Sequence, residues 1–143
     1  MAEDGLHDLL AGRWRFRRHA STGERMQGEA SFLPGPDGLR YHEEGVAILP
    51  GGQRFSFFRN YVYRIEGAGM TILFDGPSHG VFQQVALTRD GGIWTGQGHH
   101  PCGQDIYRTA YRIAPCALEI THRVIGPNKD YVLETVYDRA DVA

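Results

Sequence analysis

The segment Gln53-Arg-Phe-Ser-Phe-Phe-Arg-Asn-Tyr-Val-Tyr-Arg-Ile65 alternates between two sets of side chains, which is the period-2 pattern of a β-strand. One face carries Phe55, Phe57, Arg59, Tyr61, Tyr63 and Ile65. The other face carries Arg54, Ser56, Phe58, Asn60, Val62 and Arg64. The first face is richer in aromatic residues, so we expect it to point inward. It brings Arg59 with it, and a charged group on an inward face needs a partner or a water-filled cavity.

Turn-forming clusters divide the rest of the chain into segments of similar character. Glycine, proline, asparagine and aspartate recur at short intervals, from residues 34–38 to residues 126–128. The segments between them predict strands at residues 12–19, 25–33, 38–48, 53–65, 69–75, 79–88, 92–99, 104–113, 117–126 and 129–139. Residues 3–11 are predicted to be helical, and Gly12 ends that helix. These patterns are typical of an all-β sandwich or barrel.

Composition supports a single folded domain spanning residues 1–143. The chain is 41% hydrophobic and 22% charged, and it contains 19 glycines, seven phenylalanines, seven tyrosines and two tryptophans. Its net charge of −2 gives no basic field for nucleic acid or an anionic membrane. No apolar run approaches the roughly 20 residues of a membrane-spanning helix, and the acidic N-terminus lacks the apolar core of a signal peptide. We therefore expect a cytoplasmic protein with Cys102 and Cys116 as free thiols.

Two motifs at opposite ends of the chain point to a known architecture. Gly12-Arg13-Trp14 opens the first predicted strand, and Arg139 lies near the end of the last one. This pairing resembles the calycin superfamily, which includes lipocalins and fatty-acid-binding proteins. There a Gly-x-Trp motif packs its indole under an arginine of the last strand. The resemblance implies a cation–π contact between Trp14 and Arg139 that closes one end of a barrel.

A second resemblance covers nearly the whole chain. It rests on four motifs in this order: Tyr41-x-Glu43-x-Gly45, Arg59-x-Tyr61, His100-x-Cys102-x-x-Asp105-x-Tyr107 and Gly126-Pro-x-Lys129-Asp130-Tyr131. Together they resemble an uncharacterised, mainly bacterial family of lipocalin-like domains. The resemblance implies an all-β, closed antiparallel calycin-like barrel of eight to ten strands with a short N-terminal helix, and it implies no activity. One departure is Gly76-Pro77-Ser78-His79, where the family pattern has Gly-Arg before the histidine.

Polar and aromatic side chains on shared strand faces form the candidate ligand site. Its predicted members are Tyr41, Glu43, Arg59, Tyr61, His79, His100, Asp105, Tyr107, Lys129 and Tyr131. If these faces meet in one lumen, they make a pocket with aromatic walls and a few fixed polar groups. Arg59 and Lys129 would bind an anionic group, and Glu43 would orient Arg59. Alternatively, Glu43 and Arg59 pair inside a packed core.

Three functions remain open on these residues. The first is binding of a small anionic or amphipathic organic molecule in the lumen. The second is a cofactor-free lyase or isomerase that uses lumenal Tyr, Glu and Arg. The third is a protein-interaction module with a filled core. A small-molecule partner fits the first two, no nucleic-acid or membrane partner is expected, and a homodimer is left open.

Six residues are of the types that ligate metals: His79, His99, His100, Cys102, Asp105 and His122. Their spacing matches no standard zinc pattern, and adjacent residues of a strand face opposite ways. We expect no bound metal and no cofactor, and ligation of haem by His122 is the weaker alternative. Cys102 and His100 share a face but lie about 6–7 Å apart, too far for direct activation of a nucleophile. Arg13, Arg15 and Arg17 alternate with Trp14 and Phe16 and are predicted to face solvent.

Overall fold

A computed structural model of the chain describes residues 5–75 and 80–140, apart from the side chain of Cys102. One short helix precedes ten strands: α1 (Leu6–Leu10), β1 (Gly12–Ala20), β2 (Arg25–Gly35), β3 (Gly38–Ile48), β4 (Arg54–Glu66), β5 (Gly69–Phe74), β6 (Val81–Asp90), β7 (Ile93–Cys102), β8 (Asp105–Ala114), β9 (Ala117–Gly126) and β10 (Lys129–Arg139). The predicted all-β fold with a short N-terminal helix is confirmed. No helix in these two ranges is long and apolar enough to cross a membrane.

The strands form a closed antiparallel barrel. Each strand pairs with the next along the chain, and β1 pairs with β10, so that Trp14 lies opposite Arg139. Because successive strands run in opposite directions, the turns after odd-numbered strands all lie at one end, which we call the open end. The opposite end receives α1 and is called the capped end.

Helix α1 packs its three leucines into the capped end. Leu6, Leu9 and Leu10 are buried there together with Trp14, which has no exposed surface. The indole Nε1 of Trp14 donates to the Leu10 carbonyl oxygen at 2.9 Å. Gly12, with φ of 121°, turns the chain from the helix into β1, in a conformation that side chains with a Cβ rarely adopt.

Arg139 joins the last strand to both the helix and the tryptophan. Its guanidinium carbon lies 4.2 Å from the centroid of the Trp14 ring. The two terminal nitrogens donate to the carbonyl oxygens of Leu9 and Ala11. These carbonyls belong to the end of α1, where helix carbonyls lack partners within the helix. The predicted contact between Trp14 and Arg139 is confirmed, and the same arginine also holds α1 against the barrel.

A pair of opposed glycines allows β2 and β3 to approach closely. Gly28 and Gly45 are register partners. A Cβ on Gly28 would lie 2.0 Å from the Glu44 carbonyl oxygen, and one on Gly45 would lie 2.2 Å from the Gln27 carbonyl oxygen. A residue with a Cβ at either position would clash with the backbone of the neighbouring strand. Glycines at such positions are how strands bend to close a barrel.

We expect Trp14→Ala to lower the free energy of unfolding by about 3–5 kcal/mol, because it removes a fully buried large aromatic side chain. Arg139→Ala should cost about 2 kcal/mol through the lost cation–π contact and hydrogen bonds. Arg17→Ala, on the exposed face of β1, is the control and should change the value by less than about 0.5 kcal/mol. Chemical denaturation measures all three. Equal effects of the two arginine variants would contradict the closing role of Arg139.

Candidate ligand-binding cavity

The inward faces of the strands leave a cavity of about 360 Å³ in the half of the barrel near the open end. Seven predicted site residues line it: Tyr41, Glu43, Arg59, Tyr61, His100, Tyr107 and Tyr131. The wall also contains residues that sequence reasoning did not assign to a ligand site, chiefly Arg18, Tyr63, Phe82, Tyr111, His122 and Tyr137. Strand alternation therefore identified much of the wall, while Arg18, His122 and Tyr137 were not assigned to it.

A buried ion pair forms one side of the cavity. The terminal nitrogens of Arg18 bind the two carboxylate oxygens of Glu43 at 2.8 and 2.9 Å, in a bidentate arrangement. The Arg18 Nε donates to the hydroxyl of Thr135 at 2.7 Å. The Tyr41 hydroxyl donates to Glu43 and lies 2.8 Å from the hydroxyl of Tyr137. Both charged side chains are almost entirely buried.

The ion pair fixes the protonation of these groups. Burial opposes the charge on Glu43, but the bonds and the positive charge of Arg18 outweigh it and hold the pKa of Glu43 below its ordinary value. Burial and neighbouring acidic groups raise the pKa values of Tyr41 and Tyr63 well above their usual range. Burial likewise raises the pKa of Tyr137 to about 12. At neutral pH the carboxylate is ionised and these phenols are protonated.

The predicted pairing of Glu43 with Arg59 is wrong. The two residues are opposite one another in the β3–β4 register, but the carboxylate is bound by Arg18. Arg59 instead lies exposed at the cavity mouth, with its guanidinium carbon 5.9 Å from the Phe57 ring centroid. Among the described residues it makes no hydrogen bond or ion pair. The signal for Arg18 was present, because it shares the inward phase of Trp14 in β1.

A second chain of polar side chains crosses the wall from β8 to β9. The Tyr111 hydroxyl donates to the Gln83 carbonyl oxygen at 3.2 Å, and the Gln83 amide donates to the Thr109 hydroxyl. The Thr109 oxygen lies 3.0 Å from Nδ1 of His122. Burial, with the positive charges of Arg18 and Arg59, lowers the pKa of His122 to about 4. The imidazole is therefore neutral at neutral pH.

Aromatic rings surround the mouth of the cavity. We call Tyr61, Phe74, Phe82, His100 and Tyr107 the aromatic collar. Phe82 is central to it, with its ring centroid 6.0 Å from Tyr61, 5.1 Å from Phe74, 5.4 Å from His100 and 6.4 Å from Tyr107. Each of these residues lines the cavity. The collar thus gives the mouth an apolar, planar surface.

Asp105 and Lys129 lie away from the cavity wall. The Lys129 ammonium is 3.2 Å from an Asp105 carboxylate oxygen, and 45% of the lysine side chain is exposed. The Asp105 carboxylate lies against Gly126, where a Cβ would be 1.8 Å from its oxygen. Hydrogen bonding and charge from Asp105 raise the pKa of Lys129. Their ion pair connects the β7–β8 and β9–β10 turns. Neither residue lines the cavity with Arg59.

Of the remaining candidates, His79 lies outside the described residues, and His99 is exposed on the outside of β7. No group of three or more His, Cys, Asp or Glu side chains placed to hold a metal occurs within the described ranges. Cys116 is an exposed thiol. Among the described histidines, His100 and His122 line the cavity.

A profile described as "Family of unknown function (DUF6314)" matches residues 10–139. The chain belongs to this family. No curated protein matches the sequence significantly.

Two solved structures to which the chain shows similarity are designed barrels. A redesigned beta barrel, mFAP1, bound to DFHBI, has a TM-score of 0.47 and 14% identity, covering 95% of this chain and 100% of its own. A fluorescence-activating beta barrel designed de novo has a TM-score of 0.47 and 12% identity, covering 96% of this chain and 99% of its own.

Breaking the Arg18–Glu43 pair by one substitution should be more damaging than replacing both partners. Arg18→Met and Glu43→Leu should each lower the free energy of unfolding by about 3–5 kcal/mol, because each leaves a buried charge without its partner. The double variant should lose clearly less than the sum of the two. Chemical denaturation of the four proteins gives the coupling energy. The matched control is the exposed pair Arg112–Glu119, 3.4 Å apart, whose coupling should stay below about 1 kcal/mol. Additive effects at Arg18 and Glu43 would contradict the pairing.

The low pKa of His122 predicts a specific loss of stability in mild acid. The unfolded chain takes up a proton near pH 6.5, whereas the folded protein does so only near pH 4. The free energy of unfolding therefore falls as the pH falls through this window, by up to about 3 kcal/mol from this residue. In His122→Gln the fall between pH 6.5 and 4 should be smaller by that amount, as measured by denaturation at several pH values. Parallel curves for the two proteins would show that His122 is not held neutral.

Proposed function

We propose that the barrel binds a small, anionic or amphipathic organic molecule in the cavity at its open end. The observation that carries this proposal is the state of Arg59. Its guanidinium borders the cavity and has no carboxylate partner among the described residues. An arginine cannot lose its proton at any relevant pH, so its charge is constantly available to a ligand.

The charges of the wall support an anionic group. Arg18 and Glu43 neutralise one another through their bidentate bonds. His122 is neutral at pH 7 because burial lowers its pKa. Arg59 therefore leaves the wall with an excess positive charge. A carboxylate or phosphate of a ligand would accept hydrogen bonds from it in a partly water-excluded site, where charged hydrogen bonds are strongest.

The size and surface of the cavity support a small organic molecule. Its volume of about 360 Å³ lies near the lower end of the range for small-molecule pockets, roughly 300–1,000 Å³. The aromatic collar supplies the apolar surface, and the tyrosine hydroxyls supply oriented polar contacts. This combination of apolar walls with a few polar groups is typical of ligand sites. A cavity of this size weighs against an interaction module with a filled core.

Binding is favoured over catalysis by the state of the acid–base groups. Glu43 has a lowered pKa and both of its oxygens are bound by Arg18, so it is a weak base with little freedom to take a proton. Tyr41 and Tyr63 have strongly raised pKa values and resist ionisation. These groups are therefore poorly suited to the proton exchange near neutral pH that a cofactor-free lyase or isomerase requires. We accordingly place the enzyme hypothesis second.

The calycin-like assignment is part of this proposal. The contact between Trp14 and Arg139 at the capped end supports it, because this is the contact that the Gly-x-Trp motif and the arginine of the last strand imply in calycins. A cytoplasmic location and a small-molecule partner, without nucleic acid or membrane, complete the proposal.

Arg59→Leu should abolish most anion binding without unfolding the barrel, because the side chain is exposed and makes no ion pair within the described residues. A thermal-shift screen of small organic acids identifies binders of the wild-type protein. Their affinity should fall at least about tenfold in the variant, as expected for a lost charged hydrogen bond. Arg54→Leu is the matched control, because it removes the same charge from the outer face of the same strand. Equal stabilisation of wild type, Arg59→Leu and Arg54→Leu by the same acids would refute the proposal.

A further inference from the structure

We propose that the ligand is an aromatic acid with a second hydrogen-bond acceptor, and that Nε2–H of His122 donates to this acceptor while Arg59 binds the acid group. This inference rests on the proposed function and names the chemistry of the same site. It assigns a role to His122, Thr109 and Gln83, three side chains that anion binding by Arg59 leaves unexplained.

The hydrogen bonds in the wall favour one tautomer of the imidazole. Gln83 accepts from the Tyr111 hydroxyl through its carbonyl oxygen, so its amide nitrogen faces Thr109. This nitrogen can only donate, and the Thr109 oxygen therefore accepts from it. The Thr109 hydroxyl keeps its own proton, and Nδ1 of His122, 3.0 Å away, is the acceptor placed to receive it. In a neutral imidazole whose Nδ1 accepts, Nε2 carries the proton and can only donate.

The Nε2 atom is available to a ligand. It forms no hydrogen bond to a described residue, although Nδ1 does. A buried nitrogen without a hydrogen-bond partner would be unsatisfied, and Nε2 is not among the atoms in that state. It is therefore accessible to solvent. His122 lines the cavity, which makes the cavity the route by which solvent reaches Nε2. The same cavity thus offers a neutral donor, His122, and a permanent cation, Arg59.

The charges that face His122 favour an acceptor over another donor. Arg18 from β1 and Arg59 from β4 both act on the imidazole, and Glu43 from β3 opposes them. Because Glu43 is already bound by Arg18, the groups that remain for an entering polar atom near His122 are hydrogen-bond donors, Nε2–H and Arg59. A carbonyl, ether or hydroxyl oxygen satisfies this arrangement, whereas an ammonium group is repelled.

The aromatic collar favours a ligand that contains an aromatic ring. Phe82 belongs to the collar, and its ring centroid is 6.5 Å from that of His122. A planar ring in the mouth therefore contacts aromatic faces and edges while its polar atoms reach the donors. Such aromatic contacts add to affinity beyond the burial of apolar area. An aliphatic acid of equal charge lacks this contribution.

The experiment compares three acids that differ by one feature each. Phenylpyruvate has a ring and a keto oxygen, 3-phenylpropanoate lacks the keto oxygen, and 3-cyclohexylpropanoate also lacks the planar ring. Calorimetric titration of the wild-type protein should give about three- to tenfold tighter binding of phenylpyruvate than of 3-phenylpropanoate. It should give about two- to tenfold tighter binding of 3-phenylpropanoate than of 3-cyclohexylpropanoate.

Variants of His122 and Thr109 then show whether these side chains cause the preference for the keto oxygen. In His122→Leu the ratio of about three- to tenfold should fall to about one, while binding of 3-phenylpropanoate is unchanged. His122→Gln places an amide donor near the position of Nε2 and should keep part of the ratio. Thr109→Val removes the hydroxyl that hydrogen-bonds to Nδ1 of His122. It should reduce the ratio although residue 109 does not contact the ligand. Nitrogen-15 shifts of the imidazole in the free protein should identify the Nε2–H tautomer in wild type and a mixture in Thr109→Val.

The outcomes separate this inference from the proposed function. If all three acids bind equally well, depend on Arg59 and ignore His122→Leu, the role of His122 and the aromatic class are wrong while anion binding stands. An Nδ1–H tautomer in the free wild-type protein would also overturn the role of His122. If none of the three acids binds and Arg59→Leu changes the affinity of no other acid, both proposals fall.

Discussion

The bidentate pair between Arg18 and Glu43 determines what the rest of the cavity can do. Two charges lie almost wholly buried in a wall that otherwise consists largely of aromatic and aliphatic side chains. Removing them from water is costly, and their attraction compensates only because the geometry is good and other polar groups complete the hydrogen bonds. Thr135 and Tyr41 supply those bonds. As a result, the buried carboxylate and the buried guanidinium of the lumen are committed to each other, and neither is free for chemistry.

The geometry of β2 makes this pair possible. β2 lies between β1 and β3. Its Met26 is the register partner of Arg18, and its inward residues from there to the level of Glu43 are Gly28 and Ala30. Gly28 also permits the close approach of β2 to β3. Small side chains at these positions leave room for Arg18 to reach across β2 to Glu43. The bend that closes the barrel and the ion pair inside it therefore depend on the same short segment.

Much of the fold could be predicted from the sequence because its signals are local. Alternation places a residue inside or outside, and glycine and proline mark the turns, so all ten strands lie where expected, with ends that differ by at most three residues. The contact between Trp14 and Arg139 followed from motifs at the two ends of the chain. The partner of Glu43 did not follow, since alternation assigns a face but not a neighbour across the barrel. Arg59 is the register partner of Glu43, yet the carboxylate is bound by Arg18, whose side chain reaches it from β1. Asp105 and Lys129 illustrate the same limit, because the turns that carry them meet outside the cavity.

The division of the barrel into two halves gives the open end its freedom to bind. At the capped end, α1 and Trp14 form an apolar plug, and the Arg139 side chain ties the last strand to the backbone of Leu9 and Ala11. This plug and the closed sheet hold the strands of the capped half in place. The open-end half can therefore keep a cavity, an exposed arginine and a neutral histidine, arrangements that a small core could not tolerate if its stability depended on filling that space. In this barrel, stability and recognition are carried by different ends, and the ion pair of Arg18 and Glu43 lies at the boundary between them.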